Sequence, residues 1–141
     1  MNRNTWAAVL ASIAVIVVLI LGFRVLGGPG KQRLVRSDQR RVQLLAELAQ
    51  QIKSKWQSSD RVLPASLDDL PKLMTQDPVT LKPFTYRPKS NGQYELCATF
   101  ATNSRELSNA STADRWVHPQ GDYCFQLDAS RDVPFAPYYY Y

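Results

Sequence analysis

The sequence predicts an α+β protein in which an N-terminal transmembrane helix precedes an amphipathic helix packed on a small antiparallel sheet. Three observations carry this. Residues 5 to 23 run without a charge; Val42, Leu45, Leu48, Ala49, Ile52 and Trp56 recur at three- and four-residue spacing; and 93–101 and 122–128 alternate apolar with polar side chains. The first matches the thickness of a bilayer's hydrocarbon core, the second a helical stripe, the third strands with one buried face. A chain of 141 residues has room for one small domain beside the apolar segment, which excludes a multidomain enzyme.

The apolar segment reads as a transmembrane helix over 5–26, behind a short flank of residues 1–4. Trp6 suits the interface at one end, and the long stem of Arg24 can reach the headgroups at the other. A cleaved signal peptide is the alternative. Its apolar region is normally about 7–15 residues and ends at small residues, whereas this run is longer and Val25-Leu26-Gly27 makes a poor cleavage site. A retained anchor is therefore expected.

Gly27-Gly28-Pro29-Gly30 breaks the helix on leaving the membrane and opens a basic juxtamembrane linker over 27–36. Lys31, Arg33, Arg36, Arg40 and Arg41 follow in quick succession, with Asp38 among them, while residues 42–141 hold ten Lys plus Arg against eleven Asp plus Glu. The basicity is thus local. A nucleic-acid binder would carry its charge on the folded domain, so no nucleic-acid partner is expected. Anionic lipid headgroups are the partner read for these five cations, with a merely solvated linker as the alternative.

The amphipathic helix is expected over 37–56, with Arg41, Gln43, Glu47, Gln50 and Lys53 opposite the apolar stripe. In RVLPASLDDL, Ser66 can cap a short helix and Asp69 complete a capping box, which accounts for Asp68 and Asp69 without chemistry. Phe84–Arg87 reads as a short strand, Asn91-Gly92 as a tight turn, and the two alternating segments as longer strands. Residues 102–121 between them lack periodicity, and Trp116 is expected to anchor that loop by packing. The folded domain spans 37–133. The tail 134–141 carries Phe135 and Tyr138, Tyr139, Tyr140 and Tyr141 with two prolines, an aromatic surface expected to dock or bind.

Few residues suggest chemistry. His118 is the only histidine, precedes Pro119 and has no G-x-S-x-G motif beside it; no catalytic residue, metal or cofactor is expected. Cys97 and Cys124 are the only cysteines, both on the polar phase of their strands, which suits one disulfide in an oxidising compartment. That argues for an extracytoplasmic domain, against the count of positive flanking charges, which points the other way. Asp114, Asp122 and Asp128 flank the loop without EF-hand spacing.

The stretches WQSSDRVLPASLDDL and DPVTLKPFTYRPKSNGQYELCATF resemble the soluble part of type IV pilin-like proteins, especially the major pseudopilins of type II secretion. YELCATF, with Trp116, His118, Gly121, Cys124 and Phe125 later, is also similar to uncharacterised bacterial membrane-anchored proteins. The resemblance implies a pseudopilin-like fold, a bacterial inner-membrane location with the C-terminal domain extracytoplasmic, and a non-catalytic structural or interaction role with an envelope protein partner. The chain departs from a prepilin in two ways: Gly22-Phe23 lies at the far end of the apolar run, and Gly27 stands where a glutamate would be. The alternative function is a ligand-binding module for glycan, peptide or calcium, built on the 102–121 loop and the aromatic tail. Its candidate contacts are Trp116, His118 and the four tyrosines.

Overall fold

The structure, a computed structural model, describes residues 3–26, 28–107 and 115–133. The chain divides into two compact units, Met1–Leu34 and Val35–Tyr141.

The first unit contains α1, Arg3–Leu26. Thr5–Gly22 is long and apolar enough to cross a bilayer, and none of it is buried against protein. Its length and composition suit either a membrane anchor or a signal sequence. Ser12 satisfies its hydroxyl within the helix by donating to the Ala8 carbonyl at 3.0 Å, the usual way a polar side chain is tolerated in such a segment.

α2 spans Pro29–Ser58 and so begins well before the expected Ser37. Among the described residues only Gly28 stands outside the helices here. Proline is favoured at a first helical position, where its fixed φ is preset and its missing N–H would have no partner, and Lys31–Arg36 contains no helix breaker. The stretch read as a linker over 27–36 is therefore helical from Pro29.

In the second unit the apolar face of α2 builds the core. Leu45, Leu48, Ala49 and Ile52 are completely buried, and they cluster with Tyr94, Leu96, Phe100, Phe125 and Leu127 of the sheet. Opposite them, Gln50 donates to the Val133 carbonyl at 3.0 Å and Lys53 pairs with Asp132 at 2.6 Å, which fastens the segment after the last strand to the helix.

The sheet has three antiparallel strands in the order β1 (Thr85–Pro88), β2 (Gln93–Phe100), β3 (Gly121–Asp128). Asn91 and Gly92 both have positive φ, 60° and 76°, and Gln93 N–H donates to the Ser90 carbonyl, so a type I′ turn joins β1 to β2. Only glycine takes the second of these positions without steric cost. β2 and β3 pair over their full length, with Cys97 opposite Cys124. Their alternation works as expected, Tyr94, Leu96, Phe100, Phe125 and Leu127 facing inward.

Ser66 does not cap a helix. Its hydroxyl accepts from the Asp68 amide in a turn at 3.4 Å, and the short helix α3 lies later, at Lys72–Thr75, after an uncapped Pro71. Local capping chemistry marked a chain reversal here, not a helix start. A four-residue helix, α4 (Ser104–Leu107), follows β2.

Candidate functional site

The most concentrated chemistry in the second unit is a buried charge cluster on the helix side. Arg41 lies on α2 three residues after Asp38, on the same helix face, and its NH1 donates to Asp38 Oδ1 at 2.7 Å. Its other edge grips Asp77, Nε to Oδ2 at 2.5 Å and NH2 to Oδ1 at 3.3 Å. Two carboxylates facing one guanidinium leave an excess negative charge, and backbone donors absorb it. Asp38 accepts from the Ala101 and Thr102 amides and the Thr102 hydroxyl; Asp77 accepts from the Val79 and Thr80 amides. Burial alone would raise the Asp77 carboxyl, but the Arg41 guanidinium and those two amides outweigh it and hold it below the usual carboxylate range. With all three guanidinium nitrogens and both carboxylates engaged, the cluster is a clasp between α2, the Asp77 turn and the end of β2.

Arg41 is thereby removed from the five cations read as headgroup contacts. It is 6% exposed, because its partner Asp77 pulls the guanidinium inward, whereas Lys31, Arg33, Arg36 and Arg40 are exposed. The sequence offered one signal for the clasp: Asp38 is the only acid in a run of cations and stands one helical turn before Arg41.

His118 and Trp116 are likewise interior. Trp116 is 2% exposed and meets Phe125 edge-on at 4.9 Å, so it anchors its loop as expected. His118 is 3% exposed and stacks on Phe100 at 3.7 Å between centroids. Its Nδ1 lies 3.1 Å from the Pro119 carbonyl oxygen, and the Thr102 backbone also contacts the ring. Burial pushes its pKa below the ordinary histidine value, which the Pro119 and Thr102 backbone contacts and the nearby Asp38 charge only partly offset. Neither side chain is placed to touch a ligand at the surface, which corrects their reading as candidate contacts: packing on the inner face of the sheet claimed both. Tyr138, Tyr139, Tyr140 and Tyr141 lie outside the described residues, as do the remaining loop positions 108–114 with Asp114.

On the opposite face of the sheet Cys97 and Cys124 form a disulfide, closing 27 positions of chain. Glu95 lies within 4.8 Å of both sulfurs in the one carboxylate and sulfur grouping among the described residues close enough to suggest a metal. The sulfurs are bonded to each other, and Glu95 accepts from Lys89 and Gln126 at 2.5 Å each. These same donors, Lys89 first, hold the Glu95 carboxyl below its ordinary range. Asp122 accepts from the Thr99 hydroxyl, and Asp128 from the Ser130 amide and hydroxyl, so each carboxylate is already engaged by a neighbour. The disulfide also borders a groove of about 610 Å³ with Lys82, Arg87 and Asp122 along it.

No family model, curated protein or solved structure matches the chain. The fold stands as α+β, and function has to be argued from these residues.

Proposed function

We propose that the protein is a single-pass, membrane-anchored domain of pseudopilin-like type, extracytoplasmic on the bacterial inner membrane, with a non-catalytic structural or interaction role in the envelope. The observation that carries this is the combination, in one chain, of an uncharged helical segment, Thr5–Gly22, with no buried residue and a folded unit closed by a disulfide. The first favours a bilayer and the second an oxidising compartment beyond it. Exposed Lys31, Arg33, Arg36 and Arg40 supply headgroup contacts. The order helix, Asp-Pro turn and antiparallel sheet supports the pseudopilin-like reading. A non-catalytic role fits side chains whose polar atoms are already engaged: the imidazole is packed on Phe100, the thiols are bonded, and the buried carboxylates are saturated.

C-terminal fusions to alkaline phosphatase and to a fluorescent protein that folds only in the cytoplasm test the topology, together with the mass of the membrane-extracted chain. An active phosphatase and an intact N-terminus are expected. A fluorescent C-terminus, or a mature chain lacking the first 26 residues, would overturn the anchored extracytoplasmic reading.

A further inference from the structure

The two edges of the sheet are unequal. β1 is four residues long and ends in Pro88, which cannot donate to a neighbouring strand. β3 is eight residues long and contains neither proline nor lysine, the residues that usually blunt an edge. Among the described residues, no backbone hydrogen bond beyond the β2 ladder involves Asp122 to Leu127.

A groove of about 430 Å³ touches Tyr123 and four consecutive residues of this strand, Phe125 to Asp128, together with Arg115 and Arg131, and reaches Gln93 of β2 at the strand's end. Successive strand side chains point to opposite faces, so a cavity that meets four in a row lies along the edge of the strand. Both arginines are exposed. The one carboxylate in the groove, Asp128, is held by the amide and hydroxyl of Ser130 and sits 3.6 Å from Arg131. Two guanidiniums against one engaged carboxylate leave the groove net positive.

From this we infer that the β3 edge is a docking site for an extended acidic segment of another protein. The segment's backbone adds a strand beside β3, and its carboxylates pair with Arg115 and Arg131. A second copy of this chain fits the same edge poorly. Antiparallel self-pairing centred on Phe125 would set Asp122 opposite Asp128 of the other copy, and like charges directly opposite destabilise a pair. The inference deepens the interaction role proposed above, but it concerns the folded unit and needs no particular topology. Its failure leaves membrane anchoring standing, and a cytoplasmic C-terminus leaves edge docking standing.

The test uses the full chain in detergent micelles and a fluorescent eight-residue peptide alternating Val with Glu. Its counterparts alternate Val with Lys, or carry an N-methyl group on every amide. Anisotropy should show the acidic peptide binding at least tenfold tighter than the lysine peptide, and the N-methylated one not at all, because methylation removes the backbone donors. Arg115→Glu with Arg131→Glu should weaken the acidic peptide at least tenfold without changing the melting temperature. Equal binding of the acidic and N-methylated peptides would reduce the effect to charge attraction and overturn strand addition. So would absence of binding. Binding seen only after deletion of 134–141 would make that segment the occupant, and a concentration-dependent dimer that the peptide dissociates would make it a second copy; either result overturns the assignment to a partner.

Discussion

Arg41 Nε and Asp77 Oδ2 meet at 2.5 Å across 36 positions of sequence, each side chain less than a tenth exposed. The pair joins the middle of α2 to the turn that leads into the sheet, and Asp38 completes it from the other side. Removing one partner of a buried pair leaves uncompensated charge, which typically costs about 3–5 kcal/mol. Arg41→Met, which leaves two buried carboxylates, should fall in that range in chemical denaturation. Arg41→Lys should recover only part of it, since an ammonium cannot reproduce the two-edged contact.

Acid should unfold the domain in two stages. His118 is neutral and held below its ordinary pKa, so the unfolded chain binds the extra proton. Stability contributed by the buried neutral ring is present above about pH 6.5 and falls as pH drops below it. Asp77 has the same sign at lower pH: its depressed carboxyl contributes above about pH 4 and is lost as pH falls further. Melting temperatures measured from pH 8 to pH 3 should show both slopes. His118→Phe, which keeps a ring against Phe100, should remove the upper slope and leave the lower.

The Cys97–Cys124 bridge spans 27 positions. In the chain-entropy account a loop of that length stabilises by about 3–4 kcal/mol. Reduction by a dithiol should lower the melting temperature accordingly, and Cys97→Ser with Cys124→Ser should melt at the same temperature in oxidising and reducing buffer.

Leu48 is completely buried where α2 faces the sheet. Leu48→Ala should cost about 2–5 kcal/mol, the range for a large apolar side chain whose site cannot fully collapse. Leu73→Ala, at a residue 87% exposed, should stay within about 0.5 kcal/mol in the same denaturant titration.

Leu81 holds φ at 57° and is 70% exposed. Left-handed backbone costs a non-glycine residue roughly 1–2 kcal/mol, and little packing is at stake here. Leu81→Gly should therefore stabilise the domain by up to about 1 kcal/mol after glycine's greater unfolded-state entropy is counted. A lower melting temperature for this variant would refute the account.

What the sequence determined by itself is whatever repeats locally. The spacing from Val42 to Ile52 identified the buried face of α2, the alternation in β2 and β3 identified their inner faces, and Asn91-Gly92 identified the turn, because each pattern is the period of one element read over its own length. The phase of Cys97 and Cys124 allowed them a common face, and the register of β2 against β3 set them opposite each other. Tertiary structure decided where polar side chains on those patterns went. Arg41 falls on the polar side of its helix and is buried nonetheless, because Asp77 and the amides at 101 and 102 converge on it and its neighbour Asp38. His118, in the loop before β3, gave no periodic signal and became interior because Phe100, at the end of β2, offered a ring to stack on. Periodicity records which face of an element is apolar. Pairing of charges and rings depends on which distant segments packing brings within about 3–4 Å, and nothing in the local pattern carries that distance.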